Sequence, residues 1–149
     1  MTNQRSLRAL AEYYDAKYKR REDKKAGKYK NQRVKTPGQS FDSQLEASVH
    51  QILLLRERAG EIRNIRSQVT LKLTRAGIGY RVDFVATDCK TGQDFGIEAK
   101  GFPTEVWGIK KRLYKYYGPF FLEIWTGTHM NPRLTETIIP VGPTEIGLD

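Results

Sequence analysis

Apolar positions along this chain recur with two different periods, and the changes between them mark its elements. From residue 45 to about residue 59 they fall at Leu45, Val49, Ile52, Leu53 and Ala59, three or four apart, which predicts a helix with one buried face. Ser43-Gln44-Leu45-Glu46 has the form of a capping box, Phe41 is placed to staple it, and Gly60 is a natural stop. Over residues 62–73 the period drops to two, most clearly in Val69-Thr70-Leu71-Lys72-Leu73, and predicts extended chain. Ala76-Gly77 turns into a second strand over residues 79–86. Residues 88–92 make a hairpin loop, and residues 93–100 return antiparallel. Thr104 caps a second helix over residues 105–117. There Val106, Ile109, Leu113 and Tyr117 predict the buried face, and Lys110, Lys111, Arg112 and Lys115 the solvated one. Residues 120–125 are apolar enough for an inner strand, reached from Lys100 by a crossover that suits parallel pairing. After Thr126 the pattern fades; Asn131-Pro132, Pro140 and Gly142-Pro143 predict an irregular tail.

Helix, three strands, helix, strand predicts an α/β fold, αβββαβ, with a central mixed sheet flanked by helices. Three segments are expected: a basic arm and linker over 1–38, a core over 39–126, and an extension packed on the core over 127–149. Within the arm, Leu7, Leu10, Tyr14 and Tyr18 form a weak helical stripe, and residues 27–38 read as the linker.

Charge sharpens this division. The net charge is +9, and residues 1–36 carry twelve Lys/Arg against four Asp/Glu, which leaves a body of +1. A basic arm of this kind meets a polyanion. Tyr13, Tyr14, Tyr18 and Tyr29, interleaved with the cations, favour nucleic acid, and a solvated tail is the alternative. Phosphate contacts are expected from Arg20, Arg21, Lys28 and Lys30 on the arm, and from Arg81, Lys110 and Lys111 on the body. One cysteine, Cys89, excludes a disulfide framework or a cysteine zinc site. No stretch approaches the ~20 apolar residues of a membrane span, and the N-terminus has no signal-peptide core. A cytoplasmic protein without a membrane role is expected.

The candidate chemistry lies on two neighbouring strands. In Phe95-Gly96-Ile97-Glu98-Ala99-Lys100-Gly101, Glu98 and Lys100 share one face and Ile97 and Ala99 the other. Asp83 stands between Val82 and Phe84, where an aspartate is disfavoured and costly if buried unpaired. Two carboxylates from paired strands suit Mg²⁺, which takes one or two carboxylates plus water and substrate oxygens. The Ala99 carbonyl would add a third donor. Lys100 could orient or deprotonate an attacking water and stabilise negative charge. Glu46, beside the apolar stripe of the first helix, is an accessory acid or simply the capping-box glutamate. His50 and His129 have no ligand spacing.

Glu46, Asp83 in Arg81-Val82-Asp83-Phe84, and Glu98-Ala99-Lys100 together resemble the PD-(D/E)XK nuclease superfamily. Lys28-Tyr29-Lys30-Asn31, the segment Phe41-Asp42-Ser43-Gln44-Leu45-Glu46 and Ala59-Gly60-Glu61-Ile62 are similar to small phage and prophage endonuclease-like proteins of that superfamily. The site layout is also similar to phage junction-resolving endonucleases. Val82 departs from the pattern by standing where a proline gives the superfamily its name. The resemblance, spanning roughly residues 28–125, implies a restriction-endonuclease-like core and a phage-encoded, Mg²⁺-dependent DNA endonuclease, with Mn²⁺ as a substitute. Asp83 and Glu98 would be metal ligands and Lys100 catalytic. Branched DNA is the expected substrate and a homodimer the expected assembly. The alternatives are a non-catalytic nucleic-acid-binding protein on the same fold, or a sequence-specific restriction or homing-type nuclease.

Overall fold

Pro37 and Gly38 make the first turn. Pro37 fixes its own φ and Gly38 takes φ +85°, so β1 (Val34–Thr36) folds back on β2 (Gln39–Phe41) with Val34 opposite Phe41. This hairpin occupies the end of the segment expected to be linker. The computed structural model describes residues 32–142, in a unit that begins at Arg33. The helix expected in the arm, and Arg20, Arg21, Lys28 and Lys30 with it, lie outside the described residues.

Helix α1 (Gln44–Arg58) starts where Ser43 accepts the Glu46 N–H at 3.1 Å. The Glu46 carboxylate reaches back one residue beyond the usual box and accepts the Asp42 N–H at 3.0 Å. At the other end Gly60, at φ +75°, lets the Glu61 N–H return to the Arg56 carbonyl. Leu45, Val49 and Leu53 are buried, but Ala59 is exposed and Ile52 only half-buried, so the stripe is narrower than the periodicity suggests.

The remaining strands form one sheet in the order β3 (Ile62–Lys72), β4 (Gly79–Asp88), β5 (Asp94–Ala99), β6 (Leu122–Thr128), β7 (Asn131–Ile138). Only β5 and β6 are parallel, joined through helix α2 (Glu105–Tyr117); the other neighbours are antiparallel. The described residues are thus α/β, two helices and a five-stranded mixed sheet. Apolar side chains sort into two cores. Phe84, Ala86, Phe95 and Ile97 pack with α1, while Val85, Leu122 and Ile124 pack with Trp107 and Tyr114 of α2. Neighbours on β4 alternate between the two, so the sheet is buried from both sides.

Alternation breaks at one level. Tyr80, Val82 and Phe84 should share a face, yet the first two belong to the α2 core and Phe84 to the α1 core. On β3, Ile65 packs against the α1 core, and Val69 and Leu71 against the α2 core. Both strands therefore rotate at Gln68 and Asp83, which the register sets opposite each other. Gln68 has φ +55°, rare for a residue with a side chain. Pairing of β4 with β5 also stops here, at Phe84 opposite Ile97. Freed from β5, β3 and β4 continue as a two-stranded ribbon, which twists more than a wide sheet.

Two further expectations fail. Val106, Ile109 and Tyr117 of α2 are exposed; Trp107 and Tyr114, seven apart, make its buried face. The aromatic rings prevail because both pack against Tyr80, and the Tyr114 hydroxyl also donates to the Phe120 carbonyl at 2.9 Å. The predicted irregular tail contains β7. As an edge strand it keeps only Ile138 buried and exposes Arg133 and Glu136, so it carries almost no apolar alternation to read.

Candidate active site

The candidate site sits where β4 and β5 part. Past the last paired residues, two backbone N–H groups are taken by carboxylates of the opposite strand. The Ala99 N–H donates to Asp83 Oδ2 at 2.9 Å, and the Asp83 N–H donates to Glu98 Oε2 at 3.3 Å. Each acid thus anchors on the other strand, and at Ala99 a side chain replaces a rung. Lys100 Nζ lies 3.7 Å from Glu98 Oε1 and 5.1 Å from the centre of the Trp107 ring. Asp83, Glu98 and Lys100 are therefore brought together, with Ala99 tied in through its own N–H.

Glu46 approaches from α1. Gln68 Nε2 donates to its Oε1 at 2.6 Å, and Gln68 Oε1 accepts from Arg81 Nε at 2.7 Å. A chain of hydrogen bonds therefore runs from the exposed Arg81 to a glutamate only 3% exposed. A capping glutamate is normally wet; this one caps and is buried as well.

Burial sets the electrostatics. It raises the Glu46 carboxyl to about 7, with the charge of Asp83 adding to the effect. Asp83 is likewise held well above the usual carboxylate range, first by burial and then by Glu98. Glu98 is raised by burial, against the pull of Lys100. The Tyr80 hydroxyl is buried beside Glu98, close enough for each to affect the other's ionisation but outside hydrogen-bond geometry, and it has no hydrogen-bond partner among the described residues.

These acids fit a divalent cation in chemistry, since positive charge is what buried, mutually repelling carboxylates lack. Among the described residues, no three His, Cys, Asp or Glu side chains converge as a ready-made metal cage. A cation placed here would find two carboxylate donors, Asp83 and Glu98, and would need water to complete its shell.

Of the other predicted residues, Arg81 stands at the rim and Lys110 lies over the Tyr80 ring, 5.7 Å from its centre. Lys111 is turned away and pairs with Glu136 on β7. His50 packs against both the Phe41 and Phe84 rings, which also touch each other. Gln68, Tyr80 and Trp107 were not anticipated. Gln68 reads as an ordinary polar strand position, and nothing in the sequence marks its positive φ.

The fold and these contacts define an α/β protein with a partly buried carboxylate–lysine cluster at a strand divergence. A family model described as "Protein of unknown function (DUF1064)" matches residues 26–128, and the chain belongs to that family. No curated protein and no solved structure gives a significant match.

Proposed function

We propose that this protein is a divalent-metal-dependent DNA endonuclease on a restriction-endonuclease-like core of the PD-(D/E)XK type. The observation that carries the reading is the cross-anchored pair, Asp83 on Ala99 and Glu98 on Asp83, with Lys100 on Glu98. A buried glutamate and a half-buried aspartate, each anchored on the opposite strand's backbone, gain little for the fold and are costly while charged. A bound cation offsets that cost.

Mg²⁺, or Mn²⁺ in its place, supplies charge neutralisation at the scissile phosphate and acidifies water. Asp83 and Glu98 would hold it. Lys100 would orient the attacking water and balance charge growing on the phosphate. Glu46, raised to about 7, is suited to take or return a proton near neutral pH. Phosphate contacts by Arg81 and Lys110 would position the backbone without reading sequence. Branched phage DNA is the proposed substrate, and a homodimer would supply the second site that a two-strand cut requires. Among the described residues, no helix is long and apolar enough to cross a membrane.

Supercoiled, linear and four-way-junction DNA, incubated with the protein in Mg²⁺ and in EDTA, tests this. Cutting in Mg²⁺ only, strongest on the junction, is expected. Binding without cutting of any substrate would instead identify a non-catalytic nucleic-acid-binding protein.

A further inference from the structure

Residues 62–82 carry five Lys/Arg (Arg63, Arg66, Lys72, Arg75, Arg81) and no Asp or Glu, in a body whose net charge is close to zero. Part of this stretch forms the ribbon that runs on past the candidate site. There β4 is paired with β3 alone, from Val69 opposite Val82 to Lys72 opposite Gly79. The two faces of the ribbon differ. Leu73, Tyr80 and Val82 are buried in the α2 core, while Thr70, Lys72, Gly79 and Arg81 are exposed, with Arg75 in the turn.

The cations on this open face are not neutralised. Arg33, Arg56, Arg66, Lys100 and Lys111 each pair with a carboxylate. Among the described residues no carboxylate lies within ion-pair distance of Lys72, Arg75 or Arg81. Arg81 is steadied instead by the neutral amide of Gln68. An open strand face carrying uncompensated positive charge is complementary to a phosphate backbone.

From these features we infer that the outer face of the β3–β4 ribbon is a docking surface for duplex DNA, tracking the backbone away from the scissile bond. The inference rests on the nuclease reading for where that bond lies. Four residues separate Asp83 from Gly79, which at strand rise spans about 13 Å. With ~3.4 Å per base pair along the duplex, the ribbon covers about four base pairs to one side of the cut. Arg81 is the nearest contact to the site, and Lys72 and Arg75 the farthest.

The test is salt-dependent binding of the full-length chain to a fixed duplex, in EDTA so that nothing is cut. Changing Lys72→Ala and Arg75→Ala together should weaken binding and flatten the log–log salt slope by about 1.8, near 0.9 for each phosphate no longer neutralised. Lys90→Ala, in the β4–β5 turn, should leave the slope unchanged. A double variant with the wild-type slope on duplex DNA overturns the surface, as does a weakening confined to single strands. Because no step depends on cleavage, these results stand apart from whether the wild-type protein cuts.

Discussion

Asp83 and Glu98 are acids held where charge is expensive. Their carboxyls, and that of Glu46, are raised by burial before any other cause. For Glu46 the folded value near 7 stands above the ordinary 4.5, so between those values the native state holds more protons than the unfolded chain. Stability must then fall as pH rises through that window, by up to about 3 kcal/mol from this group alone. Asp88 and Asp94 are shifted the other way by their hydrogen bonds, so their effects belong to more acidic conditions. Urea unfolding in EDTA should therefore give a higher midpoint at pH 5 than at pH 8. Mg²⁺ should restore the difference at pH 8, and Asp83→Asn should raise the metal-free midpoint there. Equal midpoints at both pH values would contradict this electrostatic account. These residues were legible because strand parity put Glu98 and Lys100 on one face and because an aspartate among apolar neighbours stands out. The positive φ of Gln68 and the unpartnered hydroxyl of Tyr80 depend on long-range placement, so no local pattern records them.

Among the elements, those with a long unbroken period were readable and those defined by their neighbours were not. Helix α1, strands β3 to β5 and the start of α2 follow from spacing, caps and turns. The buried face of α2 did not, because two aromatic rings outweigh a better-spaced aliphatic stripe. Strand β7 did not, because an edge needs no apolar face. The cap of α1 bears directly on the site. Ser43 fixes the first turn and with it the backbone of Glu46. Ser43→Ala should cost about 1 kcal/mol, read as a lowered thermal midpoint. Under the proposed nuclease function it should also slow cleavage less than Glu46→Ala does, since Gln68 and Asp42 still hold the carboxylate. A Ser43→Ala variant as inactive as Glu46→Ala would mean that the cap alone places the acid.

At the scale of the molecule, two helices pack on a mixed sheet whose strand divergence carries the candidate site, with a basic ribbon beyond it. The charge of the body is near zero in total but not in distribution. Arg56 bridges Glu61 and Glu123, and the cations that no described carboxylate pairs include Lys72, Arg75 and Arg81 on the ribbon. The proposed nuclease function depends on a single cation held between Asp83 and Glu98. Titrating Mn²⁺ into the protein and counting bound ions by electron paramagnetic resonance is the most direct measurement. One site per chain, abolished in Asp83→Asn and retained in Lys90→Ala, is the predicted result. Binding that is absent from the wild-type chain, or unaltered by Asp83→Asn, would contradict it.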